Sequence, residues 1–136
     1  MKIDLVFVVD VSQAMMTSSL DQTKDFISQF VRALYIHPNF VRVGILGYGQ
    51  VRLGVYYRLS QAQSSSNILT ATQSLTPLAG RPGNLKYALE YVRSQVITEK
   101  SGARDAVKTV IFIVTSGTLD VTQIPNVQVR MNSCRI

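Results

Sequence analysis

The chain has 136 residues, 46% of them hydrophobic and 16% charged, with a net charge of +6. This composition suits one domain over residues 1–136 with a core of its own, and excludes a disordered chain. No apolar run approaches the ~20 residues of a membrane span, and the arginines (Arg32, Arg42, Arg52, Arg58, Arg81, Arg93, Arg104, Arg130 and Arg135) are scattered rather than blocked.

A basic balance of this kind can attract a polyanion such as heparin, but without a basic run it points to no specific nucleic acid. No signal peptide is visible before the first apolar run, which says little about compartment. Cys134 is the sole cysteine and forms no internal disulfide. An intermolecular bridge and a free or buried thiol both stay open for it.

Leu5-Val6-Phe7-Val8-Val9 is apolar at every position and ends at Asp10. A run without alternation fits a strand covered on both faces, as in parallel sheets sandwiched between helices. The first strand is expected over 3–9. Ser18 or Ser19 is a candidate helix cap, with Asp21 placed favourably for the helix dipole. Ile27, Phe30, Val31 and Leu34 form one helical stripe, and Pro38-Asn39 breaks it. Residues 41–48 and 51–59 read as two strands of a hairpin around Gly49-Gln50. Such a hairpin adds one antiparallel edge strand to an otherwise parallel sheet.

Ser64 to Ser66 can cap a short helix ending near Leu75, and Pro77 stops it. Residues 79–84 carry two glycines and a proline and form a shaped loop. Asn84 is placed to cap the next helix, with Leu85, Ala88, Leu89, Val92 and Val96 as its apolar set. Residues 101–105 read as a turn, with Arg104 and Asp105 solvated, and 107–114 as another buried strand. A loop over 118–126 and a last strand over 127–133 complete the pattern. The expected fold is α/β: doubly wound, mostly parallel, with one antiparallel edge strand and helices on both faces.

Asp10-Val11-Ser12-Gln13-Ala14 resembles the Asp-x-Ser-x-Ser signature that opens a von Willebrand factor type A (VWA) domain. Val41 to Gly49 resembles that family's V-x-V-G-L-V-x-Y-S strand. Gly80 to Arg93 is similar to its G-G-x-T-x-T-G-x-A-L-x-Y-V loop and helix, and Val110 to Gly117 to its V-x-I-V-I-T-D-G strand. These come in the family's order over roughly residues 3–120, and the nearest flavour is that of collagen VI A-domains and matrilins. The resemblance also implies helices between and after the last strands, which the sequence to Ile136 leaves missing or truncated. An apolar sheet face left uncovered by them would favour association.

The resemblance implies a metal-ion-dependent adhesion site at the carboxyl end of the sheet, holding Mg²⁺ with oxygens from three loops. Asp10 matches the first aspartate and Ser12 the first hydroxyl. Ala14 stands where the second serine belongs. Gly83 (or Pro82, if the alignment slips by one) stands where a threonine belongs, and Ser116 replaces the second aspartate. Mg²⁺ demands about six oxygens in octahedral array. Losing one carboxylate and two hydroxyls costs on the order of several kcal/mol even at a screened dielectric. The expectation is a vestigial site of Asp10, Ser12 and Ser116, with no cofactor and at most weak Mg²⁺. Without metal, Asp10 is expected to cap its own loop through backbone N–H groups.

No catalytic set is visible. His37 is the only histidine, lying beside Pro38, and no phosphate-binding loop motif exists. Gly80 to Gly83 follows a helix and Pro77 rather than a strand, which argues against a nucleotide site. The expected function is a non-enzymatic, secreted interaction and adhesion module of extracellular-matrix type, metal-independent and self-associating. Its interaction loops would present Ser12, Gln13, Met15, Arg81, Asn84, Ser116 and Thr118 to protein partners. The alternative is an intracellular VWA scaffold in a multiprotein complex.

Overall fold

A computed structural model of the chain describes residues 1–116. Its elements are β1 (Ile3–Asp10), α1 (Thr17–Ala33), β2 (Val41–Tyr48), β3 (Leu53–Tyr57), α2 (Ser65–Gln73), α3 (Leu85–Tyr91) and β4 (Lys108–Val114). A π turn over Val92–Val96 prolongs α3, and a 3₁₀ turn covers Glu99–Ser101. The sheet order is β3-β2-β1-β4, with β1 parallel to both neighbours and β3 antiparallel at the edge. The doubly wound, mostly parallel α/β fold is therefore present. The expected loop over 118–126, the strand over 127–133 and the missing terminal helices lie outside the described residues.

β1 explains its own composition. Leu5, Phe7 and Val9 face one core with Ile27, Val31, Ile68 and Ala71 of α1 and α2. Val6 and Val8 face a second core with Ala88, Val92 and Val96. A strand buried on both faces has no polar side to alternate with. Phe7 also packs edge-on to Phe30, at 6.0 Å between centroids, and against Phe112 at 5.5 Å. β2 divides its side chains in the same way, Val43 and Ile45 to one core and Leu46 and Tyr48 to the other.

Three boundaries and one side chain depart most from the sequence expectation. Helix α1 begins at Thr17 after Met16, with no side-chain cap, so Ser18 and Ser19 lie inside its first turn and Asp21 beyond it. It ends at Ala33 because Leu34 is already extended and Ile36 bridges to Val41, so the chain has turned before Pro38. Strand β3 stops at Tyr57. Beyond it the buried Gln63 amide takes over pairing with β2, accepting from the Val43 N–H at 2.7 Å and donating to the Val43 carbonyl at 3.0 Å. A side chain so placed satisfies the strand as a neighbouring backbone would.

The fourth difference is Arg104, which is not solvated. It reaches under the sheet to the fully buried Asp4, its Nη2 lying 2.7 Å from Oδ1. Its Nε and backbone N–H also donate to that carboxylate, and its Nη2 to the carbonyls of Ile3 and Phe40. Ser64 and Asn84 do cap α2 and α3, accepting from Asn67 N–H at 3.3 Å and Tyr87 N–H at 3.0 Å.

Candidate functional site

The carboxyl ends of β1, β2 and β4 carry a crown of loops, which is where open α/β sheets bind ligands. Hydrogen bonds tie these loops to one another. Gln13 N–H donates to the Gly80 carbonyl at 2.9 Å, and its side-chain Oε1 accepts from Gly80 N–H at 3.2 Å. Leu78 N–H donates to Val11 O at 2.7 Å and Asn84 N–H to Gly49 O at 2.9 Å. The Gln50 amide donates to Arg81 O at 2.9 Å.

At the centre lies Asp10, only 2% exposed. Its Oδ1 accepts from Ser12 N–H at 2.8 Å, closing an Asx-type turn. Its Oδ2 accepts from the Ser116 hydroxyl at 2.5 Å and from Ser116 N–H at 3.4 Å. Ser12 Oγ in turn accepts from Ala14 N–H at 3.3 Å. Gly83 closes the corner: a Cβ there would lie 2.7 Å from Asp10 Oδ1 and 2.9 Å from the Tyr48 ring. The three vestigial positions, Asp10, Ser12 and Ser116, thus converge, together with Gly83, where a threonine is lost.

Tyr48 was not read from the sequence as part of this corner. It pairs with Asp10 across β2 and β1, so the strand register was the signal that would have found it. Burial pushes its phenol well above the ordinary range. The Asp10 carboxylate adds to the rise, and a hydrogen bond with Thr115 opposes it.

The described residues of this corner do not by themselves fit a hard divalent cation. Among the described residues the corner offers one carboxylate, with both oxygens engaged, and two serine hydroxyls that are themselves bonded. Gly83 supplies no side-chain oxygen and leaves no room for one. Mg²⁺ needs a fuller set of oxygens. Among the described residues no group of three or more His, Cys, Asp or Glu side chains clusters.

The surface residues expected in the interaction loops divide. Gln13, Arg81, Asn84 and Ser116 are exposed. Met15 and Ser12 are not: Met15 is buried in the core with Leu20, and Ser12 is fully covered. Both are corrected from partner-facing to structural, because the turn after Asp10 folds them under the loop. Thr118 and Cys134 lie outside the described residues. His37 sits at the opposite end of the sheet, its ring stacked with Tyr35.

The family model for the von Willebrand factor type A domain matches residues 4–136. Mouse matrilin-1 is 30% identical over 118 residues, spanning 84% of this chain and 23% of that protein. Mouse collagen alpha-4(VI) chain is 30% identical over 118 residues, spanning 84% of this chain and 5% of that one. The chain therefore spans under a quarter of either relative. Among solved structures, proximal thread matrix protein 1 from the mussel byssus superposes with a TM-score of 0.72 at 20% identity, over 82% of this chain and 28% of that one. In that structure its metal-ion-dependent adhesion site is occupied by zinc. The strand order, the crown at the sheet's carboxyl end and these matches agree: the chain belongs to the von Willebrand factor type A domain family, in its matrix type.

Proposed function

We propose that residues 1–136 act as a single non-enzymatic protein-binding module of extracellular-matrix type, which recognises its partners without a bridging cation and associates with itself. The observation that carries the metal-free reading is the engagement of both Asp10 oxygens by Ser12 and Ser116. A carboxylate so held has its charge spread over protein donors and is not free to grip an ion. The matrilin and collagen VI relatives support matrix protein partners and an extracellular setting.

Recognition would then rest on the exposed side chains of the crown loops, positioned by the loop-to-loop hydrogen bonds. The test is capture of matrix proteins by the immobilised chain, in chelator and in Mg²⁺. Equal capture in both supports the reading. Capture abolished by the chelator contradicts the metal-free part, and no capture in either contradicts the module itself. Light scattering across a concentration series checks self-association: a mass rising above 15.1 kDa supports it, and a constant monomer mass removes it.

A further inference from the structure

The crown carries an uneven set of side chains. Segments 11–16, 49–52 and 76–87 contain no aspartate or glutamate, yet Arg52, Arg81 and Lys86 are all exposed there. The strand-end carboxylate, Asp10, is buried and hydrogen-bonded. The same segments carry three exposed large apolar side chains: Met16 at 70%, Val51 at 79% and Tyr87 at 42%.

We infer that this crown is the docking surface for an acidic, apolar-studded protein segment, the carboxylates meeting Arg52, Arg81 and Lys86 directly and the apolar side chains covering Met16, Val51 and Tyr87. This inference rests on the interaction-module reading and names the partner class for it. Charge complementarity selects an acidic occupant and disfavours the equally basic crown of a second copy. The apolar side chains select a protein over a sulfated polysaccharide, which gains nothing from Met16 or Val51.

The surface is also held in place before binding. Gln13 ties the first loop to Gly80, and Gln50 ties the hairpin to Arg81. A rigid surface loses little conformational entropy on docking. Guanidinium groups suit carboxylates because two N–H donors meet two oxygens side by side.

The experiment uses the full chain against an immobilised synthetic peptide of repeated Glu-Asp-Leu triplets, with repeated Gln-Asn-Leu and repeated Glu-Asp-Gly peptides as probes of charge and of apolar contact. The triple variant R52E/R81E/K86E is compared with R32E, which reverses an exposed charge in the last turn of α1, at the far end of the domain. The expected result at 0.15 M salt is retention on Glu-Asp-Leu only. The triple variant weakens it about tenfold or more and R32E leaves it within about twofold. Far-ultraviolet circular dichroism and melting confirm that both variants fold. If the triple variant does not fold, the single variants R52E and R81E are read in the same way.

Four outcomes on the peptides overturn the inference: no retention on Glu-Asp-Leu, equal retention on Gln-Asn-Leu, retention on Glu-Asp-Gly as strong as on Glu-Asp-Leu, or equal loss in R32E and the triple variant. A heparin oligosaccharide that competes fully while the apolar residues prove dispensable also overturns it, in favour of a polysaccharide. Matrix-protein capture that survives in the triple variant overturns this inference and leaves the interaction-module reading standing. Absence of matrix-protein capture by the unmodified chain removes that reading instead.

Discussion

Strand β1 carries a buried aspartate at each end, and the two are neutralised in different ways. Asp4, at the amino end, is fully buried and meets the Arg104 guanidinium, which is itself tied to the carbonyls of Ile3 and Phe40. Asp10, at the carboxyl end, meets no cation among the described residues and is held by the Ser12 N–H and the Ser116 hydroxyl and N–H. A buried charge must be compensated. At one end a full opposite charge does this and locks the base of the sheet. At the other, neutral dipoles do it and leave the loops above without a charged anchor. Only the first arrangement depends on a single partner, so the two ends should respond differently to mutation.

The largest effect is expected at the amino end. Arg104→Ala strands the Asp4 carboxylate, and removing one partner of a buried pair costs about 3–5 kcal/mol. Urea denaturation measures this directly. The double variant D4N/R104M should recover most of the loss, since no unpaired charge remains. A loss under 1 kcal/mol in the single variant would show that Asp4 does not need its partner.

Asp10→Asn should cost less, about 1.5–3 kcal/mol, the range for hydrogen bonds to a charged acceptor. The amide keeps one acceptor oxygen but turns an N–H₂ towards donors that Asp10 accepted from. The same denaturation series checks it. A cost as large as that of Arg104→Ala would mean the two aspartates are equally dependent.

A third effect lies at high pH. The Tyr48 phenol is raised in the fold, first by burial and then by Asp10. A group with a raised folded pKa binds its proton more tightly folded than unfolded, so its contribution is complete below the unfolded value of about 10 and declines as pH rises above it. Melting temperature should fall above pH 10, and Tyr48→Phe should flatten that part of the profile. At neutral pH the same substitution removes the hydrogen bond with Thr115, at a cost of about 1 kcal/mol. An unchanged alkaline slope in Tyr48→Phe would place the titrating group elsewhere. Tyr56 and Tyr57, also raised by burial, are then the next positions to substitute. The smallest effect expected is that of Mg²⁺ at 1 mM, which should leave the melting temperature of the unmodified chain in place.

Much of this was legible in the sequence because strands buried on both faces leave a plain mark: β2 runs over the residues its apolar pattern indicates, and β1 extends one residue further, to Asp10. The convergence of Asp10, Ser12, Gly83 and Ser116 was legible through resemblance to a family with a known spacing. Two of the misses share a physical cause: each depends on a contact between residues far apart in the chain. Arg104 reads as a solvated turn until the fold brings Asp4 beneath it, one hundred positions away. Gln63 ends β3 by a contact twenty residues back. Met15 reads as a loop residue because burial after a turn leaves no periodicity. The start of α1 was missed because Met16 offers no side-chain cap to read.

The most direct test is calorimetric titration of the full chain with Mg²⁺ and Mn²⁺, with Asp10→Asn alongside. A crown whose carboxylate is already satisfied by Ser12 and Ser116 gives no dissociation constant below ~100 μM, because too few oxygens remain for a hard cation. Binding tighter than that, lost in Asp10→Asn, would contradict the account.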